Sequence, residues 1–339
     1  MYETKKGDLS RVAVILTTWN SERFFDQFPG PLLQQGIRAD QVLIVDSESN
    51  DSTVERARSF GFRVHAIPRL EFNHGGTRAL ASTLVPWAEI LVYITPDAIL
   101  ASPDTIATLV GAFDDPAIGA AYGRQLPHAE ADPFARHHCF FNYPRQSRVR
   151  DLDLRRELGY KTVYFSDNLG AYRRTALEAV GGFPARVINS EDFYVSARMM
   201  LRGWKTAYVA EAAVYHSHNQ TLKQVFRRYF DIGVMHSEEI WILDSFGKPA
   251  GEGMRFLRSE IAFTRAENPL LVGQCLLRTA AKYFGYQIGR RHAILSVGMK
   301  KRLGGFHEYW QKSSVIKPAG REDIATGEQG LVPGSHGTQ

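Results

Sequence analysis

Two predicted strands near the N-terminus end in side chains that could bind a nucleoside. The first leads into Thr17, Trp19 and Asn20, and the next ends at Asp46. The Trp19 indole could stack on a base, or it could be a half-buried aromatic residue without a ligand. The Asp46 carboxylate could accept a hydrogen bond from a base imino group or a ribose hydroxyl, or it could cap the following helix. Because Ser52 opens a better capping box, we favour the ligand role for Asp46.

Four residues at a predicted helix start, His74, Gly75, Gly76 and Arg78, could bind a phosphate. Paired glycines let backbone amides approach an anion, and the N-terminus of a helix favours negative charge. The guanidinium of Arg78 could add two parallel hydrogen bonds. The same residues could equally form a plain turn that opens a helix.

A carboxylate and two imidazoles could bind a divalent cation. Asp97 follows a strongly apolar predicted strand, where one carboxylate can hold a magnesium ion that bridges two phosphates, or can cap a helix. His216 and His218 alternate along a short predicted strand, so both rings point to the same side and could reach one metal. A His-x-His pattern alone is a weak signal for a metal.

The pair Glu191 and Asp192 precedes a helical pattern. Acidic residues in a first helical turn stabilise the helix dipole, which explains the pair without any chemistry. The functional interpretation is that one of the two carboxylates is a general base.

These side chains require a fold that brings strand ends together. The first 125 residues alternate apolar runs of strand length with helical patterns, which predicts crossover units and a mostly parallel sheet in an α/β fold. Ligands of such sheets bind at the carboxyl ends of the strands. Residues 162–218 mix strands with one helix over 192–202, and residues 221–310 are mainly helical.

Composition excludes several classes of protein. The 339 residues include 41 Lys and Arg against 36 Asp and Glu, and this small surplus, without a recognised module, disfavours a nucleic-acid binder. Two cysteines, Cys139 and Cys275, exclude a disulfide framework and a cysteine-ligated zinc site, and we expect them to be packing residues. The sequence has no long apolar run and a polar N-terminus, so we expect no transmembrane helix or secretion signal, and a cytoplasmic location.

In this order, the residues resemble glycosyltransferase family 2, the inverting enzymes with the GT-A fold. The segments that carry the resemblance are 17–20, 44–53, 95–97 and the block 168–192, and those most like bacterial polysaccharide rhamnosyltransferases are 72–78 and 215–218. The sequence departs from the family at Thr95, where many members have the first Asp of Asp-x-Asp. His216 or His218 could supply a metal ligand in its place.

The resemblance implies a fold and a reaction. The fold would be GT-A, with a Rossmann-like, mostly parallel central sheet flanked by helices and a C-terminal helical region. The donor would be dTDP-β-L-rhamnose or another nucleoside diphosphate sugar, and the acceptor a glycan or a lipid-linked glycan. Asp192 would take the proton of the acceptor hydroxyl, with Glu191 as the alternative base. Magnesium or manganese on Asp97, together with Arg78, would neutralise the leaving diphosphate.

The resemblance also implies a set of binding residues. Most stand at strand ends or helix starts, and one arginine of the helical region could fold back toward the diphosphate. The donor-binding residues are Thr17, Trp19, Asn20, Asp46, Ser49, His74, Gly75, Gly76, Arg78, Asp97 and Arg227, and the metal ligands are Asp97, His216 and His218.

We expect four parts along the chain. They are an N-terminal extension (1–10), a catalytic domain (11–220, with a nucleotide-sugar half 11–125 and an acceptor half 126–220), a helical region (221–312) and a disordered tail (313–339). Residues 270–291 predict a basic amphipathic helix. It fits an anionic membrane surface, at the inner face of the cell membrane, as well as a helical appendage packed on the catalytic domain.

Other functions stay open at this point. The enzyme could use another UDP-, GDP- or dTDP-sugar, or the domain could be a catalytically silent assembly partner. Retention of Asp46, Asp97 and Asp192 together argues against a silent domain. A metal hydrolase built on the two histidines would leave the strand-end residues unexplained. The sequence does not fix the oligomeric state.

Overall fold

The computed structural model describes residues 6–248 and 250–312. The predicted disordered tail, 313–339, lies outside the described residues, as do residues 1–5 of the predicted extension. The strands are β1 Val12–Thr18, β2 Val42–Asp46, β3 Arg63–Ala66, β4 Ile90–Ile94, β5 Ile99–Leu100, β6 Ile118–Leu126, β7 Arg148–Arg150, β8 Leu169–Arg173 and β9 Lys205–Tyr215.

The helices lie between and after these strands. They are α1 Pro29–Leu33, α2 Thr53–Ser59, α3 His74–Thr83, α4 Thr105–Val110, α5 Pro133–Asn142, α6 Arg155–Leu158, α7 Arg174–Ala179, α8 Glu191–Leu201, α9 Leu222–Glu238, α10 Ile240–Phe246, α11 Ala250–Glu267, α12 Leu271–Arg290, α13 Val297–Leu303 and α14 His307–Lys312. No helix within the described ranges is both long enough and apolar enough to span a bilayer.

One sheet forms the centre of the molecule, in the order β3-β2-β1-β4-β8-β6-β9-β5, with β7 added beside β9. The four strands β3, β2, β1 and β4 are parallel. Beyond them β8 is antiparallel to both β4 and β6, whereas β6 and β9 are parallel. The α/β class and the C-terminal helical region are therefore confirmed, but the sheet is mixed and only its first half is parallel throughout.

The first strands are apolar because both of their faces are buried. Along β1, Val14 and Leu16 pack into the core on one side of the sheet, and Ala13 and Ile15 pack into the core on the other. This arrangement is typical of parallel strands covered by helices on both faces. It leaves the ends of the strands as the positions where polar groups can collect.

The cap of α2 differs from the predicted one. Ser52 makes no side-chain cap, and the carboxylate of Asp51 instead accepts from the backbone N–H of Thr53 at 3.0 Å. The predicted capping box is therefore wrong, and Asp51 performs the capping role that its short side chain allows.

Helices α9 and α12 touch through their backbones. A Cβ atom at Gly289 would overlap the carbonyl oxygen of Phe230, and one at Gly233 would overlap that of Tyr286. Glycine at these positions lets the two helices approach closely. A third buried cluster, which includes Phe193, Phe230 and Val234, joins this pair to α8.

We expect Gly289→Ala to lower the free energy of unfolding by about 1–3 kcal/mol, because overpacking forces the backbones of α9 and α12 apart. The matched control is Gly273→Ala in the same helix, where a Cβ meets no atom within 4 Å. The control should be neutral or slightly stabilising, since alanine favours the helix over glycine. Urea unfolding measures both variants, and equal midpoints for the two would contradict the close packing.

Candidate active site

The end of β2 holds a buried carboxylate. The register of β1 and β2 places Thr18 beside Asp46, and Asp46 is only 1% exposed. Its oxygens accept from Thr18 Oγ1 at 2.7 Å, from Ser49 N at 2.8 Å and from Ser49 Oγ at 2.6 Å. Asp46 is therefore turned inward, toward the loop that it organises, and is not exposed at the strand end.

The loops beside this carboxylate expose an aromatic ring. Trp19 is 50% exposed, and the guanidinium of Arg69 lies 4.0 Å from the centre of its ring. Asn20 and Glu48 have left-handed backbones, with φ of 48° and 56°, which non-glycine residues rarely adopt. The backbone N–H of Asn20 donates to Ser49 Oγ at 2.8 Å. Thr17 lies half-buried one position before the end of β1.

The predicted phosphate site at the start of α3 is not formed. The side chain of Asn73 already accepts from the Gly76 N–H at 2.8 Å, and a Cβ at Gly75 would collide with the carbonyl oxygen of Pro184. Gly75 thus serves close packing, and the Gly76 amide is already bonded to Asn73. His74 lies between the rings of Phe72 and Phe306, and burial lowers its pKa.

Arg78 is buried in an ion-pair cluster and does not face a diphosphate. Its side chain is 8% exposed, its Nε lies 3.0 Å from Asp167 Oδ2, and its Nη1 pairs with Glu191. The phenol of Tyr172 donates to the other Asp167 oxygen at 2.6 Å. The prediction that Arg78 binds a phosphate through two parallel hydrogen bonds is therefore wrong, because the buried side chains of Glu191 and Asp167 occupy its guanidinium.

Asp192 stands next to this cluster with the properties of a base. Its carboxylate accepts from the Phe193 N–H at 2.7 Å and from the Asp167 N–H at 3.1 Å. Burial, and then the charge of Glu191, raise the pKa of Asp192 to about 6. A base works best with a pKa near the working pH, so this carboxylate is suited to accept a proton.

Glu191 differs from its neighbour. Burial would raise the pKa of Glu191, but the charges of Arg78 and His74 outweigh it and hold the pKa below its usual value. Glu191 is thus kept as the charged partner of Arg78. The geometry favours Asp192 over Glu191 as the base.

Asp97, His216 and His218 converge on one point. Strand β5 pairs with the end of β9, where Ile99 faces Tyr215, and this pairing brings the turn before β5 to the histidines. Asp97 Oδ2 lies 3.5 Å from His216 Nε2 and 3.4 Å from His218 Nε2. One ligand atom from each residue lies within 4.8 Å of the others. The three predicted metal ligands are thus brought together.

The surroundings of His216 orient its ring. Its Nδ1 lies 3.1 Å from the amide oxygen of Gln125, whose amide nitrogen donates to Tyr143 and Ser166. A proton on Nδ1 leaves Nε2 as the atom that faces Asp97, a common arrangement for metal-binding histidines. The amide nitrogen of Asn168 lies against the same ring, 2.6 Å from Nε2.

The protonation states also fit a cation. Burial would raise the pKa of Asp97, but the hydrogen bond and charge of His216 hold it well below its usual range. Burial and the charge of His216 lower the pKa of His218, so that it stays neutral. One carboxylate with two imidazoles is a donor set for a divalent transition metal such as manganese, whereas magnesium prefers oxygen ligands.

Arg227, the arginine predicted to reach the site from the helical region, does not do so, and the next residue, Arg228, lies near the metal ligands. Arg227 donates to the backbone carbonyl of Arg302 at 3.2 Å, on the side of α13. The charge of the next residue, Arg228, lowers the pKa values of His138 and His218. One residue turns a helix by about 100°, which places Arg228 and not Arg227 on the side of the metal ligands.

Sequence reasoning missed several residues of the site. Asp167 and Asn168 stand directly before an apolar strand, and that position was the only local signal for them. Gln125 and Arg69 have no local signal, because they act through partners that are distant in sequence.

The sequence matches the family described as Glycosyltransferase like family 2 over residues 10–230. It is 40% identical over 301 residues to the O-antigen chain rhamnosyltransferase RfbN of Salmonella typhimurium, and the match covers 88% of this chain and 96% of that one. It is also 40% identical over 270 residues to the O-antigen chain rhamnosyltransferase WbaN of Salmonella anatum, with 80% and 86% covered.

The fold is similar to that of mannosyltransferase PcManGT from Pyrobaculum calidifontis, described in complex with GDP-Man and Mn2+. The TM-score is 0.54 at 20% sequence identity, and the similarity covers 90% of this chain and 86% of that chain. The resemblance to family 2 and the GT-A fold are thereby confirmed. The chain belongs to the family-2-like glycosyltransferases and is a glycosyltransferase with the GT-A fold.

Proposed function

We propose that this glycosyltransferase transfers L-rhamnose from dTDP-β-L-rhamnose to a glycan or lipid-linked glycan acceptor in the synthesis of a bacterial surface polysaccharide. The names of two relatives with 40% identity support the sugar and the pathway. The observation that carries the mechanism is the turn Asp167-Asn168. The backbone of Asp167 holds the base Asp192, and the side chain of Asn168 touches the metal ligand His216.

This turn sets the distance between the two chemical groups. The Cα atoms of the consecutive residues Asp167 and Asn168 are about 3.8 Å apart, so the base and the metal ligand His216 contact neighbouring residues of one turn. Asp192 accepts the proton of the acceptor hydroxyl while that oxygen attacks the anomeric carbon. A single displacement inverts that carbon, so no protein nucleophile is required.

The leaving diphosphate departs on the side of Asp97, His216 and His218. These residues would hold a divalent cation, which when bound neutralises the charge that develops on the diphosphate. The guanidinium of Arg228 adds positive charge on this side.

The nucleoside would bind at the ends of β1 and β2. Trp19 offers its exposed ring for stacking on the nucleobase, and Asp46 holds the conformation of the loop around Asn20 and Ser49. A protein of the same fold is described with GDP-Man and Mn2+, a ligand pair of this class.

We expect Asp192→Asn to reduce kcat by about 10²–10⁴-fold, because the amide keeps the shape of the side chain but cannot accept the proton. The affinity for dTDP should stay near that of the wild type, since the base does not hold the donor. Steady-state kinetics with dTDP-rhamnose and calorimetry with dTDP measure the two effects.

The matched control is Glu191→Gln. It should lower the thermal midpoint of unfolding because Arg78 loses its buried partner, and it should reduce kcat less than Asp192→Asn does. If Asp192→Asn keeps the wild-type kcat and Glu191→Gln shows the large reduction in kcat, the base is Glu191.

We expect Asp97→Asn to raise the manganese concentration needed for half-maximal activity by about 10–100-fold, because the only carboxylate of the three ligands is lost. Calorimetric titration with Mn2+ should show the same weakening. The control is Asp104→Asn, which removes a half-exposed carboxylate that pairs with Lys6. Full wild-type turnover in EDTA would rule out the metal role of Asp97.

A further inference from the structure

Helix α12 exposes large apolar side chains to solvent and turns charged side chains toward the protein, the reverse of a typical surface helix. Four large apolar side chains point into solvent: Leu276, Leu277, Tyr283 and Phe284, which are 52%, 62%, 60% and 57% exposed. We call these four residues the outer face. Exposed helix faces in soluble proteins are normally polar, so the outer face requires an explanation.

The charged residues of α12 are turned toward the protein. Arg278 is 6% exposed and donates to the Gln220 carbonyl at 2.7 Å. Lys282 pairs with the buried Glu260 at 3.3 Å. The inner side of α12 therefore combines polar contacts with the packing of Ile288 and the buried Cys275, and the outer face takes no part in it.

The residues that follow α12 in the sequence are also apolar, basic and exposed. At the end of the helix, Arg291 is exposed, and after it Ile294, Val297 and Met299 are 82%, 44% and 50% exposed. The sequence has seven Lys and Arg residues and neither Asp nor Glu between Glu267 and Glu308. Arg278 and Lys282 are turned inward, and four of the others follow the end of α12: Arg291, Lys300, Lys301 and Arg302. A long apolar stripe beside uncompensated positive charge is the pattern of a helix that lies in an anionic lipid interface.

We infer that the outer face docks the enzyme onto a bilayer that contains anionic lipids. The main alternative, a second copy of the chain, is disfavoured by charge, because a symmetric contact would bring the basic residues Arg291, Lys301 and Arg302 of two copies together. A bilayer supplies both an apolar phase for the outer face and negative charge for Arg291 and the lysines of α13.

The position of α12 suggests what the membrane contact of the outer face contributes to function. Helix α12 packs backbone to backbone on α9, and α9 carries Arg228 on the side of the metal ligands. The bilayer would thus lie on the exposed side of α12, the helix that packs directly on α9. The advantage of a site close to the membrane rests on the proposed function, since only a lipid-linked acceptor requires it. The docking of the outer face does not rest on the proposed function.

Vesicle flotation with the full chain tests the inference, without donor, acceptor or metal. We expect binding to phosphatidylcholine vesicles that contain about 30 mol% phosphatidylglycerol, and weaker binding at high salt or without the anionic lipid. The double variant Leu277→Ser/Phe284→Ser should lose at least about tenfold in affinity, because two inserted apolar side chains are removed. The control, Leu201→Ser, changes a side chain of α8 that is 42% exposed and should bind like the wild type.

Four results would overturn the inference. The first is no flotation with either vesicle, and the second is equal flotation of the double variant and the wild type. The third is a wild-type dimer in light scattering that the double variant abolishes, which would make a second copy the occupant. Thermal unfolding of the double variant should match that of the wild type, and a large loss would show that the outer face is covered by the chain itself. Because no substrate is present, failure here is separate from failure of the proposed transfer reaction.

Discussion

The site depends on the buried pairing of the Arg78 guanidinium with the carboxylate of Glu191, beside the carboxyl group of Asp167. Arg78 comes from α3, Glu191 from the start of α8, and Asp167 from the turn before β8, so the cluster ties three parts of the chain together. The backbone carbonyl of Arg78 is itself held by Tyr93 in β4 at 3.0 Å. Breaking a buried pair of this kind leaves an uncompensated charge, which is strongly destabilising. The cluster therefore fixes the elements that carry the base.

The charge of the cluster also sets the chemistry. One arginine faces Asp167, Glu191 and Asp192, so the three carboxylates cannot all be ionised without mutual repulsion. Burial raises the pKa of Asp167 to about 8 despite the nearby Arg78, and it raises that of Asp192 to about 6. Glu191, which has the closest contact with Arg78, stays charged. Two neighbouring acids in one helical turn thus take different roles through their partners.

The sequence could predict what local pattern determines. The strands that end at Thr18 and Asp46 follow from their apolar runs. The His-x-His alternation predicted that His216 and His218 share one side of the chain, although β9 ends before them at Tyr215. It could not show where a side chain finds its partner. Arg78 and Glu191 are 113 positions apart, so the local pattern of a helix start suggested a phosphate where the fold supplies a carboxylate.

Helix α12 shows the same limit. Its periodicity separates an apolar from a basic side, but only the packing on α9 through Gly285 and Gly289 reveals that the basic side is turned inward. The choice between Arg227 and Arg228 also depends on the rotation of α9 against its neighbours. The predicted division into four parts stays a prediction.

The pH dependence of kcat/KM tests the central claim most directly, because it reports the ionisation of the base in the free enzyme. With the pKa of Asp192 raised to about 6, activity should be constant above that pH. Below it, activity should fall about tenfold per pH unit, since a protonated carboxyl group cannot accept the acceptor proton. In Asp192→Asn the remaining activity should lack this acidic limb. A wild-type profile that stays flat to pH 5, or an unchanged limb in the variant, would contradict the assignment of Asp192 as the base.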